Sequence, residues 1–492
     1  MRTKSYSILL IIILLSPVFF SIVSVKPAYA GLAGWGYYKS HLIIASPGAG
    51  TDYQTGIKVY YGDGTDGTET VNGVVFGKVY VNGSSRTDFG DIRFTDDDQI
   101  TELDYWIENK TDSSFALFWV EVADTLENNA TIYIYYNNSV ATYLDTYTDK
   151  EHIVNTAIIG DNFDGSAGVP DASIWGVETR GVGGSTVLTG AGELTMTGQS
   201  STISGTGILS VDTIQQGFMI HYRNKMANQY YNDVAIGNGD IEDGQGGTSS
   251  WWHARQADGY QFAIQANNNH FIYETPDDSA EIELHADTTA WGVINTYRVI
   301  DFSYDEADEL EYWVNGIEFG DATDSTFDDG SYYVLFWSGE YSNGFGGTTT
   351  LDWVFIRKYI ASEPVHSTWG AETVTTSYYL TTLLHTGIAT LLVNGSSKGN
   401  STETAFLLLQ TANLTSTLTG GYDFSKWEFG NETIYSYANP AYLVIAQNET
   451  IHAYATTTTT TAVGDAGYAG TGFIIIAIVV SFAFILTLTR KR

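Results

Sequence analysis

The chain contains no cysteine. That absence removes disulfides, thiolate metal sites and cysteine nucleophiles together. Positive charge is scarce too: 22 Lys and Arg stand against 57 Asp and Glu, for a formal charge of −35. A surface so acidic repels phosphate backbones, which argues against nucleic acid as a partner. No Ser-His-Asp or metal-hydrolase motif is present, and the nine histidines are scattered. What the chain does have is 51 glycines, 34 tyrosines and runs of Thr, Ser and Asn, a composition of short strands and turns. A length of 492 residues allows about two to four domains.

Both ends read as membrane signals. Arg2 and Lys4 precede an apolar stretch from Ile8 to Val25, and Ala28-Tyr29-Ala30 has the small-x-small pattern of a signal-peptidase site. Residues 1–30 are therefore expected to be a signal peptide, the alternative being an uncleaved anchor. Residues 472–489 form an uncharged apolar run of spanning length, followed by a basic tail at 490–492. Positive residues stay in the cytoplasm, so the expectation is a single-pass type I plasma-membrane protein with its ectodomain outside. The anchor lacks an LPxTG-type sorting motif, which together with the missing cysteine leans towards an archaeal origin. Nine Asn-x-Ser/Thr sequons agree with export: Asn82, Asn109, Asn129, Asn137, Asn394, Asn400, Asn413, Asn431 and Asn448. None lies between Asn137 and Asn394, which suggests a middle kept free for contact.

Between the termini the pattern is all-β. Strand-like segments at His41–Ala45, Ile57–Tyr61, Val74–Val81, Phe115–Val122 and Thr131–Tyr136 alternate with Gly/Asn/Asp turns and make a first β domain over 31–150. A second block at 156–375 has no amphipathic helix and suits one β-sandwich of jelly-roll type. A smaller β domain follows at 376–455, then a Thr/Gly-rich stalk at 456–471.

The stretch "DIRFTDDDQITELDYWIE" (Asp91 to Glu108) concentrates seven carboxylates. Alternation puts Ile92 and Phe94 on one face and Leu103, Tyr105 and Ile107 on the inner face of the next strand. Glu102, Asp104, Trp106 and Glu108 are then expected outside, with Asp96-Asp97-Asp98 as a turn and Arg93 pairing across the hairpin. The stretch reads as a structural hairpin with a solvated rim. With "ALFWVEVADTLENNATIYIYYNN" (Ala116 to Asn138), it resembles a domain of unknown function from archaeal and bacterial surface proteins, over about residues 33–150. Such domains commonly precede a concanavalin A-like lectin/glucanase (laminin G-like) domain. "YRVIDFSYDEADELEYWVNGIEFG" (Tyr297 to Gly320) and "LDWVFIRKYIASEPVHSTWGAE" (Leu351 to Glu372) are similar to strands of that sandwich. The third block looks like small immunoglobulin-like surface modules.

The lectin/glucanase resemblance raises hydrolysis, because Glu306-Ala307-Asp308-Glu309-Leu310-Glu311 matches the glucanase string Glu-x-Asp-x-x-Glu. Polar residues fill the intervening positions as in a turn, so both Glu306 and Glu311 are expected on an exposed turn and no catalytic residue is assigned. Sugar binding needs a flat apolar face beside polar groups. Trp251, Trp252, Tyr260 and Trp337 are the candidates, with the reservation that one of two neighbouring tryptophans faces the core. Structural calcium is a possibility at Asp161, Asp164 and Asp352, since first and last jelly-roll strands lie side by side. The expectation is a glycosylated, membrane-anchored carbohydrate-binding or adhesion protein, with glycans or neighbouring surface proteins as partners and a homo-oligomer possible. The alternatives are a structural envelope or filament subunit and, less favoured, a glucan hydrolase. Protease added to intact cells should remove everything before the stalk and leave a small membrane fragment; full protection of the ectodomain would contradict the assigned orientation.

Overall fold

The computed structural model describes residues 31–457 except 33, 142–149, 182, 199–203, 228–231, 244–253, 266–268, 278, 289–294, 329, 341–346, 376, 387, 399–401, 408–410, 421, 431–433 and 445–448. The expected signal peptide, the apolar run at 472–489 and nearly all of the stalk lie outside the described residues. Among the described residues no helix is long and apolar enough to cross a membrane. Two compact units are present. One holds residues up to Leu380 with Glu403–Thr411 and Val444–Glu449; the other holds Thr381–Thr402, Ala412–Leu443 and residues from Thr450 onward.

The larger unit begins with a β module of eight strands: β1 (Tyr37–Ile44), β2 (Tyr53–Tyr60), β3 (Gly67–Val71), β4 (Val74–Tyr80), β5 (Arg93–Thr95), β6 (Tyr105–Thr111), β7 (Phe115–Val122) and β8 (Ala130–Tyr136). One sheet contains β1, β8 and β5; the other runs β3-β4-β2-β7-β6, with β2 and β4 parallel. Period-two alternation drives the apolar side chains of both sheets, including Ile57, Phe94, Phe118 and Ile134, into one shared core. In the acidic stretch Ile92, Phe94, Leu103, Tyr105 and Ile107 are buried as the alternation requires, and Arg93 pairs with Glu102 at 3.6 Å. Asp91 is a structural carboxylate. It accepts from the backbone N–H groups of Arg86, Asn137 and Asn138 at 2.9–3.0 Å and so ties β5 to the end of β8.

After helix α1 (Lys150–Thr156) the chain enters a sandwich of two sheets. One runs Trp175–Arg180, Ser204–Ser210, Ser331–Glu340, Asn232–Gly237, Gly259–Gln265, Asn269–Thr275, Ile282–Asp287. The other runs Ser185–Leu188, Leu194–Thr197, Thr348–Lys358, Phe218–Met226, Arg298–Tyr304, Glu309–Val314, Ile317–Thr323. The first and last sandwich strands are side by side as expected, Ile159–Asp161 pairing with Thr348–Lys358. Facing side chains such as Ile220, Phe302, Phe336 and Ile356 fill the space between the sheets.

The domain boundaries differ from those read in the sequence. Strands Val365–Trp369 and Thr373–Val374, assigned to the end of the sandwich, return to the first module and pair antiparallel with β1. The circuit closes where Thr375 N–H donates to the Gly36 carbonyl at 2.8 Å. The sandwich is thus inserted into the first module, and neither 31–150 nor 156–375 is a self-contained piece. The hairpin rim is corrected as well. Trp106 and Glu108 do face away from the module's core, but the sandwich covers that face, and Trp106 packs with Trp119, Trp353 and Phe355 in a second apolar cluster. Where the modules meet, two Asn-Gly hairpin turns touch, Asn72-Gly73 and Asn315-Gly316, all four residues with φ between 47° and 85°.

The smaller unit is also built of strands, among them a sheet of Ser396–Lys398, Ile388–Val393, Thr411–Leu418 and Ala441–Val444. Strand Glu449–Thr457 runs past position 456, where the stalk was expected to start. A Cβ on Gly316 would sit 2.2 Å from both the Asn72 carbonyl carbon and the Gly73 nitrogen, whereas one on Gly83, in another Asn-Gly turn at φ 70°, meets nothing within 4 Å. Gly83→Ala should therefore cost only the left-handed conformation, about 1–2 kcal/mol. Gly316→Ala should cost about 1–3 kcal/mol more by overpacking the junction. Equal melting temperatures for the two variants would contradict this reading of the contact.

Candidate functional site

The outer face of the sandwich sheet under the first module carries charges that must be satisfied without water. His221 is buried there with both ring nitrogens beside carboxylates: Nδ1 is 2.5 Å from Asp301 Oδ1 and Nε2 is 3.3 Å from Glu108 Oε2. Glu108 comes from β6 and also accepts from Trp119 Nε1 at 2.9 Å. Burial opposes a charge on His221, but Asp301 and Glu108 outweigh it and hold the imidazole up at about 9. Arg357, also fully buried, gives both guanidinium ends to Glu363 at 2.8 and 2.9 Å and lies over the Trp119 ring at 5.0 Å. A histidine pair lies within the first module. His41 and His366 share a 2.8 Å hydrogen bond across the β1–Val365–Trp369 pairing. Burial and the neighbouring ring hold His41 well below the usual range, and burial pushes His366 down to about 4.

Beside the His221 bridge the two modules leave a cavity of about 500 Å³. Two β-bulges shape its walls. On β6, Ile107 pairs with Phe118 and Asn109 with Leu117, so Glu108 is the extra residue. On Thr348–Lys358, Trp353 pairs with Arg223 and Leu351 with Asn224, so Asp352 is the extra residue. A bulge puts two successive side chains on one side of a strand. The lining accordingly combines the rings of Trp106, Phe115 and Trp353 with Asn72, Asn109, Asn162, Asp164, Arg223 and Asp352. The cations at the wall are already committed, Lys58 to Glu69 and Arg223 to Asp352, with the Arg223 guanidinium 4.3 Å over the Tyr297 ring. Two donors are not. Trp106 Nε1 and Asn162 Nδ2 are buried with no hydrogen-bond partner among the described residues.

The residues singled out in the sequence are dispersed. Trp251 and Trp252 lie outside the described residues. Tyr260 is not a groove residue: its ring is in the inter-sheet core and its hydroxyl donates to Asp324 at 2.7 Å. Trp337 is on the outer face of its sheet, but the hairpin of Ile241–Asp243 and Ala254–Gln256 covers it, leaving the ring fully buried with Ile241, Ala254 and Leu335. Asp161 turns inward, accepting from Phe163 N–H and Trp175 Nε1, while Asp352 pairs with Arg223. Among the described residues no group of three or more acidic or histidine side chains is placed to hold a metal ion. Asp164 and Asp352 do line the junction cavity. Glu306 is on an exposed turn as expected, but Glu311 is on strand Glu309–Val314, hydrogen-bonded by the Tyr359 hydroxyl at 3.0 Å. Burial, only partly offset by that bond, pushes Glu311 up to about 6. Of the sequon residues, Asn82, Asn109, Asn129, Asn137 and Asn394 are exposed and Asn413 is half-buried. Asn400, Asn431 and Asn448 lie outside the described residues.

Residues 88–178 match a family model described as Domain of unknown function (DUF2341). That stretch omits β1 to β4 and runs through β5 to β8 and α1 into the sandwich, in contrast to the resemblance placed at about 33–150. It carries Trp106, Glu108, Asn109, Asn162 and Asp164 of the junction. No curated protein matches the chain. Similar solved structures include a glycosyl hydrolase family 16 protein from Mycobacterium smegmatis, 14% identical over 41% of this chain and 99% of its own, with a TM-score of 0.30. A β-1,3-glucanase from Mycobacterium marinum is 13% identical over 41% of this chain and 98% of its own, with a TM-score of 0.29. The carbohydrate recognition domain of Emp47p is 11% identical over 39% of this chain and all of its own, with a TM-score of 0.29.

The three histidines give stability opposite slopes with pH. An unfolded histidine titrates near 6.5. His41 and His366 have lowered folded values, so their contribution is complete above about 6.5 and is lost as pH falls through the folded values, about 4 for His366. His221 has a raised folded value, so its contribution is complete below about 6.5 and is lost as pH rises through about 9. Melting temperature should therefore fall on the alkaline side as well as the acid side. His221→Gln should flatten the alkaline limb and cost about 3–5 kcal/mol at neutral pH; an unchanged alkaline slope in that variant would refute the charged bridge.

Proposed function

We propose that the chain is an exported, membrane-anchored surface protein that binds carbohydrate in the cavity between its interlocked modules. The observation that carries this reading is the pair of bulges, which gather ring faces, amides and carboxylates around one cavity. A sugar offers an apolar C–H side for aromatic rings and hydroxyls for planar polar groups, and ligand cavities of about 300–1,000 Å³ are the common range. The two buried donors belong to residues that line the same cavity. An unpaired buried N–H costs about 1–3 kcal/mol, and a turn of either side chain that let a ligand hydroxyl accept from it would remove that cost. Export, anchoring and glycosylation rest on the apolar segments and the sequons of the sequence.

The test uses the chain produced without N-glycans, applied to an array of oligosaccharides. Binding should be selective, and Asn162→Leu, which keeps the side-chain size and removes the amide, should weaken it about tenfold in a chain that still melts cooperatively. An array on which nothing binds would overturn the proposal and favour a structural envelope role.

A further inference from the structure

The cavity has a sequon in its wall. Asn109-Lys110-Thr111 lies on β6, the edge strand of its sheet, and Asn109 is exposed while also lining the cavity. In an unbroken strand Asn109 would share the face of Ile107 and point into the first module's core. The bulge at Glu108 changes that. Asn109 sits opposite Leu117, which packs with Trp106, Trp353 and Phe355, whereas Ile107 sits opposite Phe118 of the module's own core. Directly opposed residues project to the same side of a sheet. Asn109 is thereby re-aimed to the face that the sandwich covers. None of the other described sequon asparagines lines this cavity.

We infer that the N-linked glycan carried by Asn109 is the cavity's own occupant, a ligand in cis whose first sugars seat against the aromatic and amide wall. This rests on the reading that the cavity accepts carbohydrate and names the carbohydrate that reaches it first. Attachment joins Asn109 Nδ2 to the anomeric carbon of a lipid-phosphate-linked oligosaccharide. The bond from that carbon to the phosphate oxygen breaks, the amide gives up one proton, and the lipid phosphate leaves. Once attached, the sugar is tethered to the wall of the cavity that Asn162 and Asp352 also line, at an effective concentration on the order of millimolar or above, which a weakly binding free glycan does not match. Site occupancy at Asn109 then sets whether the cavity is open to other glycans.

The test compares the full chain purified from a glycosylating host with Thr111→Ala, which removes the sequon and leaves Asn109 in place. Glycopeptide mass spectrometry should find Asn109 occupied. An endoglycosidase should release the Asn109 glycan from the native chain at least tenfold more slowly than those at Asn82 and Asn129, and all three alike after denaturation. The free probe is the oligosaccharide released from the chain itself; it should bind the Thr111→Ala chain at least tenfold more tightly than the glycosylated one. An unoccupied Asn109, equal release rates, or equal binding of the probe to both chains overturns the inference. If the chain made without any N-glycans also fails to bind the probe and every array sugar, the carbohydrate reading of the cavity falls with it.

Discussion

A buried imidazolium shared between two modules is the interaction on which the larger unit depends. His221 and Asp301 come from the sandwich and Glu108 from the first module, and none of the three charges is stable in a dry environment alone. Taking an isolated ion out of water costs several kcal/mol, so the sandwich face would be penalised without Glu108, and Glu108 without that face. The apolar side chains around the bridge supply the attraction, at about 1.5–3 kcal/mol for each large one buried. The charges add alignment. Sliding one module over the other by one strand residue, about 3.3 Å, would carry Glu108 out of reach of His221 and leave the imidazolium without its second carboxylate.

This docking also explains where a ligand site can exist. A β-sandwich has two outer faces. One is covered by the first module, and the other carries the hairpin that buries Trp337. An open aromatic groove on either sheet is therefore replaced, over these regions, by packed interior. The junction is where covering is incomplete, because the bulges at Glu108 and Asp352 push the two strands out of regular pleat. The same irregularity that interrupts the ladder brings polar groups from both modules to one place.

Much of the strand pattern was legible in the sequence, and the junction was not. Alternation located β4 and β7 nearly to the residue and separated the faces of β6 correctly. It could not say what covers the second face. Trp106 and Glu108 looked like a rim because half-buried strands normally face water on one side. A signal against that was present: Ala116-Leu117-Phe118-Trp119-Val120 and Trp353-Val354-Phe355-Ile356 are apolar on both faces, the mark of strands covered on both sides. The bulges left no such mark, since a one-residue shift depends on the partner strand. His41 and His366 became partners only through a strand pairing that spans the whole inserted sandwich, and His221 met Glu108 only through the docking of the two modules. The aromatic candidates were misplaced for a related reason. Aromatic content reports burial as readily as ligand contact, and Tyr260 and Trp337 went to the interior.

The insertion has a mechanical meaning. β1 follows Gly36 and the last strand of the first module ends before Thr375, and these two residues are joined by a backbone hydrogen bond. Tension applied along the polypeptide at those two points acts first on that contact, and the loop between them hangs outside the line of force. In this direction β1 and Val365–Trp369 would peel apart one bond at a time, because their loaded ends lie together. Pull entering instead through something held in the junction cavity would load both modules at once, against the whole buried face. The same body is thus soft to tension along its own backbone and stiff to a load applied at the junction.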